Sequence, residues 1–272
     1  MTRARRRARP PLAVVVLGAI GLALLVAPLV AIVVRAPWGR LLELLSSETA
    51  LQALGISLGT AAAATGLSVL LGVPLAILLA GAPDEPPGLA RRVVRSLVTV
   101  PVVLPPVVGG VALVALLGEG GLVSAPIAAL LGAAPPTSAG AVVLAQTFVA
   151  MPFLVFAIEG ALRGADRRVD LVAATLGLTP GRRLLRVTLP LVAPGIAAGA
   201  ALSFARALGE YGATVTFATS IPGITQTLPM AIYARLAEGD RDAAIALSLV
   251  LIAVSVVVLV ALRDRWVPGV VR

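Results

Sequence analysis

The 272-residue chain is 59% hydrophobic, 13% charged and 3% aromatic, with a net charge of +9 and a mean hydropathy of +1.03. Soluble domains carry about 25% charged residues, so this composition argues against a soluble globular fold. The chain has no histidine, cysteine or lysine, which excludes zinc-protease motifs, thiol nucleophiles, the usual histidine base and any phosphate-binding loop that needs a lysine.

Uncharged apolar runs dominate, and a helix of roughly 20 such residues crosses a bilayer. In chain order they are Leu12 to Val34, Leu51 to Ala80, Ser96 to Leu117, Ala139 to Ile158, Val187 to Ala205 and Ala243 to Leu262. The membrane interior offers the backbone no hydrogen-bond partner, so each run must close its own helical ladder. The expectation is an all-α membrane protein of about six spans, with residues 1–10 as an arginine-rich cytoplasmic arm and 11–272 as one transmembrane domain. The basic start followed by an apolar run also fits a secretory signal. This run is about twice the usual signal core and lacks a small-residue cleavage site, so an uncleaved first span is expected.

Three stretches break the pattern. The third run carries Pro101, Pro105 and Pro106 and then Gly109 and Gly110, which predicts a bent helix, either a gating element or a fixed kink. Leu122 to Ala134 is too short to span and is expected as an interfacial helix. Tyr211 to Ala234 is uncharged but interrupted by Pro222, Gly223 and Pro229. It reads as a helix end, an outer loop and a short returning helix, because irregular backbone at membrane depth must be covered by protein or water.

The arginines are sorted by side. Five precede the first span, three lie between the second and third, six between the fourth and fifth, and three follow the sixth. The alternate loops hold only Arg35, Arg40, Arg235 and Arg241. The positive-inside rule then places both termini in the cytoplasm, and the positive charge reflects membrane topology and lipid headgroups, with no nucleic-acid partner.

Between the fourth and fifth spans, residues 160–190 form a basic insert. Asp170 is expected to begin a helix whose first turn favours negative charge, with Ala173, Ala174, Leu176 and Leu178 as its apolar surface. Gly177 either ends that helix or admits another backbone. Thr179-Pro180-Gly181 reads as a turn or a new helix start. Arg182, Arg183 and Arg186 follow on a second short helix ending at Leu189-Pro190, and Pro190 suits the first turn of the fifth span. A docking knob and a basic loop lying on headgroups both fit these residues.

The insert resembles the cytoplasmic signature of ATP-binding-cassette importer permeases, written E-A-A, three residues, G, nine residues, I, one residue, L-P. Gly177, nine residues, then Val187, Thr188, Leu189 and Pro190 match its second half. Leu171, Val172 and Ala173 stand where E-A-A belongs, and the nearest acid is Asp170, one position early. A second stretch, ALGEYGATVTFATSIPGITQTLPMAIY at residues 207–233, is similar to molybdate importer permeases, whose sulfate and thiosulfate relatives share the G-E-[FY]-G core. The resemblance implies a type I importer fold and a homodimer. It also implies two separate ATPase subunits that carry ATP and Mg, a periplasmic or surface-anchored oxyanion-binding protein, and no cofactor in this chain. It makes the insert the coupling helix, so Asp170, Ala173, Ala174, Gly177, Leu178, Arg182, Leu189 and Pro190 become candidate ATPase contacts. Arg206, Glu210, Tyr211 and Thr225 become candidates for the pathway or its gate.

Arg206 and Glu210 are four residues apart and share one helical face. Charges at this depth are costly and face a partner or a water-filled cavity. Two readings stand: an arginine that attracts an oxyanion near the outer gate, oriented by Glu210, or an ion pair that locks the fifth span to a neighbour. Glu159 is expected to pair with Arg163. Ser57, Thr60, Gln146, Thr147 and Ser203 serve either a pore or hydrogen bonds between helices. The competing classes are a membrane-embedded enzyme and an ion-coupled carrier, and the missing histidine and the scarcity of acids within the spans weaken both.

Overall fold

A computed structural model describes residues 11–81, 88–126 and 137–266. Among these, eleven helices run in order: α1 (Leu12–Val34), α2 (Leu41–Leu45), α3 (Glu48–Ala80), α4 (Leu89–Val103), α5 (Pro106–Leu117), α6 (Ala139–Gly164), α7 (Arg167–Thr175), α8 (Pro180–Leu208), α9 (Gly212–Ala218), α10 (Leu228–Ala237) and α11 (Arg241–Trp266). Five are long and apolar enough to cross a membrane.

The third expected span is not one helix. α4 and α5 meet at a bend of 116°, because Pro105 and Pro106 withhold two backbone donors and push Leu104 into an extended conformation. What the sequence suggested as a kink is therefore a full break. The expected interfacial helix at Leu122 to Ala134 falls mostly within 127–136, outside the described residues.

α3, α6 and α8 form the centre. Small residues let them approach: a Cβ on Gly199 of α8 would sit 3.0 Å from both Ala157 Cβ and Leu154 Cδ1 of α6. Close approach of this kind replaces the hydrophobic drive that lipid cannot supply. Leu154, Val155 and Ile158 of α6 pack with Ala76 and Leu79 of α3 at one end of the bundle. Toward the other end, Ala145, Val149 and Phe217 join α6 to α9 and to Leu113 of α5. α1 lies against α11 and buries no residue.

α3 begins at Glu48, a turn before the expected Leu51, capped by Ser47 Oγ accepting from Ala50 N–H. The larger departure is in the fifth span. No helix ends at Leu189-Pro190; the helix that starts at Pro180 continues to Leu208. A π turn at Leu184–Thr188 carries it through, with Leu189 N–H bonded to the Leu184 carbonyl. Pro190 has no N–H for the Arg186 carbonyl, and the widened turn absorbs that missing bond inside a continuous helix.

Candidate functional site

Two groups of candidate residues lie at opposite ends of the bundle. At one end α7 is a separate short helix that folds back on the first turns of α8. Asp166 starts it, its carboxylate accepting from Arg168 N–H at 2.9 Å, so the cap lies four residues before the expected Asp170, which falls within the helix. Gly177 closes it at φ +81°. Its N–H bonds to the Ala174 carbonyl at 3.0 Å, and Leu178 N–H bonds to the Ala173 carbonyl at 3.2 Å. This two-bond stop requires the left-handed conformation that glycine adopts without strain. Among the described residues nothing lies within 4 Å of a Cβ built on Gly177, so what the glycine supplies here is the end of the helix.

Of the candidate contacts, Ala173 is buried, Leu178 and Leu189 are half-buried, and Ala174, Arg182 and Pro190 are exposed. Val169, Val172 and Leu176 were not singled out as a set, yet at spacing i, i+3 and i+7 they share one outward helix face, with Leu176 74% exposed. Apolar side chains presented this way, flanked by exposed Arg168 and Arg182, suit a groove on another protein. The period-3.6 pattern in the sequence carried that signal.

At the other end, α8 turns into α9 through Glu210 and Tyr211. Arg206, in the last turn of α8, donates from Nη2 to Glu210 Oε2 at 2.6 Å, while Glu210 Oε1 accepts from Ala213 N–H in the first turn of α9 at 2.8 Å. Glu210 is 1% exposed, so one carboxylate neutralises Arg206 and satisfies a helix terminus together. The Arg206 side chain is 27% exposed, and its guanidinium has five donors, which leaves some free for a second anion. The Tyr211 ring meets Tyr233 of α10 at a centroid distance of 5.1 Å.

Thr225 joins neither group. Its hydroxyl donates to the Thr219 carbonyl at 3.2 Å and accepts from Ile221 N–H at 2.9 Å, bracing a loop in which Thr219 takes φ +58°. Ser57 accepts from Leu228 N–H at 2.6 Å and anchors the start of α10 on α3. Thr60 and Thr147 bond to carbonyls of their own helices, Ile56 and Val143. Gln146 and Ser203 are fully buried and have no hydrogen-bond partner among the described residues. Glu159 pairs with Arg163 at 3.2 Å as expected, and also with Arg95 of α4 at 2.9 Å.

The sequence matches, over residues 72–270, the family described as the binding-protein-dependent transport system inner membrane component. That span holds both groups of residues. The chain belongs to this family. The permease is 48% identical to the molybdenum transport system permease protein ModB of Mycobacterium tuberculosis over 245 residues, 90% of each chain. It is 31% identical to a probable sulfate transport system permease protein, cysT, of Nephroselmis olivacea, over 82% of this chain and 76% of that one. Its fold matches a bacterial ABC transporter involved in import of the acidic polysaccharide alginate, with a TM-score of 0.67 at 21% identity over 93% of each chain. The permease is thus a multi-pass membrane component of an ABC importer, as its resemblance implied, with the all-helical fold expected.

Proposed function

We propose that this permease is the translocation subunit of an ATP-driven importer for a tetrahedral oxyanion, molybdate in preference to sulfate. The observation that carries this reading is the 48% identity to a molybdenum transport permease across 90% of both chains, against 31% to the sulfate relative. The chain itself performs no covalent chemistry. Two copies form a homodimer with the pathway between them in a bacterial or archaeal cell membrane, and both termini lie in the cytoplasm.

Two ATPase subunits, which hold ATP and Mg, receive α7 and its neighbours, with Ala173, Gly177 and Leu178 shaping the docked helix. An oxyanion-binding protein delivers the substrate at the opposite face. Closure of the ATPases on nucleotide displaces α7, and the bundle rocks between inward and outward openings. Arg206, held by Glu210 beside Tyr211, offers its remaining donors to the dianion near the outer gate; arginine suits such planar, multi-donor recognition.

The test is uptake of labelled molybdate by the reconstituted permease, ATPase and binding protein, with unlabelled oxyanions as competitors. Molybdate and its close analogue tungstate should compete at far lower concentration than sulfate. Equal competition by sulfate would transfer the assignment to the sulfate class.

A further inference from the structure

Arg95 and Glu159 meet at the α7 end of the bundle, and neither topology nor docking requires them to. Glu159 is 4% exposed, and a buried carboxylate needs a cation. Arg163, four residues along the same helix, already bonds to its Oε2. The second cation comes from another helix. Arg95 Nη2 donates both to Glu159 Oε1 at 2.9 Å and to the Leu79 carbonyl at the end of α3 at 3.1 Å. One guanidinium therefore ties α4 to α3 and α6 together.

That tie matters because, among the described residues, α4 packs only lightly on the core. It contains no buried residue, and Val98, one turn on from Arg95, is the side chain it lays against the α3–α6 core. Beyond the break, α5 is held much more firmly. A Cβ on Gly109 would strike the Phe148 ring at 2.9 Å, and one on Gly110 would meet the Ala213 carbonyl at 2.8 Å. So α4 is a lever clamped at the break and fastened by an ion pair at Arg95, midway along it. The pair is not sealed in the core: about a third of the Arg95 side chain is exposed, and its Nε has no hydrogen-bond partner among the described residues. On the other side, α6 carries Glu159 in its last two turns and reaches α7 through Ala165 and Asp166 alone.

We propose that the Arg95–Glu159 pair is a positioning latch: it carries displacement of the docking helix α7 along α6 to α4, and so sets how α4 presents Ser96 and Thr99 on its open face. The inference rests on the ATP-driven import reading. Neither residue need touch the substrate; the pair acts through α4.

The chain has no cysteine, so Ser96→Cys supplies a single thiol on the lever. In proteoliposomes containing the permease, its ATPase and the binding protein, two quantities are read: the rate at which a charged, membrane-impermeant thiosulfonate modifies that thiol with and without nucleotide, and the molybdate accumulated per ATP hydrolysed. The S96C parent should change its labelling rate with nucleotide. Adding Glu159→Gln or Arg95→Gln should abolish that dependence and lower molybdate per ATP by about tenfold, in the range of measured coupling effects, while ATP hydrolysis continues. The double variant should be no worse than either single one, as expected for one shared contact. The latch is overturned if both variants keep nucleotide-dependent labelling and the parent's molybdate-to-ATP ratio, including the case where they only reduce the amount of assembled transporter. A parent permease that accumulates no molybdate on ATP addition overturns the import reading itself, and the latch with it.

Discussion

The two ends of this permease solve opposite problems. At the α8–α9 corner the carboxylate is fully engaged internally: Glu210 is buried and bonded by both Arg206 and Ala213 N–H. At the α7 end the apolar side chains of Val169, Val172 and Leu176 stand exposed on a short helix packed against the first turns of α8. A self-satisfied corner can hold a shape against a passing anion, whereas an unsatisfied helix face needs something outside the chain. Under the proposed function, the contrast separates the part that would meet substrate from the part that would meet the motor.

Breaking the corner should produce the largest effect. Glu210→Ala leaves Arg206 uncompensated and the start of α9 uncapped, and removing one partner of a buried pair costs about 3–5 kcal/mol. Thermal unfolding of the detergent-solubilised permease should report a large loss, and Glu210→Gln, which keeps the acceptor for Ala213, a smaller one. If Glu210→Ala unfolds like the parent, the corner is not the structural lock described here.

Next in size is the docking face. Leu176→Asp places a charge on an exposed position, so thermal stability of the isolated permease should be unchanged. Loss of a buried interface anchor costs about 2–4 kcal/mol of binding, which should appear as ATPase co-purification falling away. The ratio of those two readouts sharpens the comparison, since Glu210→Ala should move them in the opposite proportion.

Much of this was legible beforehand. Five spans follow from uncharged runs, and the α9–loop–α10 return follows from Pro222, Gly223 and Pro229, because composition and helix breakers act locally. The break at Leu104 was visible as prolines, but its angle depends on how Gly109 and Gly110 seat α5 against Phe148 and Ala213, which no local pattern encodes. The same holds for Arg95: its partner lies 64 positions away, so the sequence offered only the helical neighbour Arg163. The continuity of α8 through Pro190 was missed because proline ordinarily breaks a helix, and only the π turn reveals how this one passes. Thr225 has the residue type of a pore group, yet its hydroxyl is taken up by the loop it braces.

A smaller effect tests that last point. Thr225→Val keeps volume but leaves Ile221 N–H and the Thr219 carbonyl without their partner, at a cost of about 1–3 kcal/mol. Stability should fall while the apparent affinity for molybdate stays constant; the reverse pattern would return Thr225 to the pathway. Smallest is Gly177→Ala. A β-carbon in the left-handed region costs about 1–2 kcal/mol, so the end of α7 should loosen, with modest weakening of ATPase association measured by titration.

The most direct measurement is ATP-driven molybdate accumulation in proteoliposomes, comparing the permease alone, the permease with its ATPase and binding protein, and the same assembly carrying Leu176→Asp. Accumulation should require the complete assembly and ATP, and should collapse in the variant although its fold is intact. Uptake by the permease alone, or undiminished uptake with Leu176→Asp, would contradict the division of labour between the two ends.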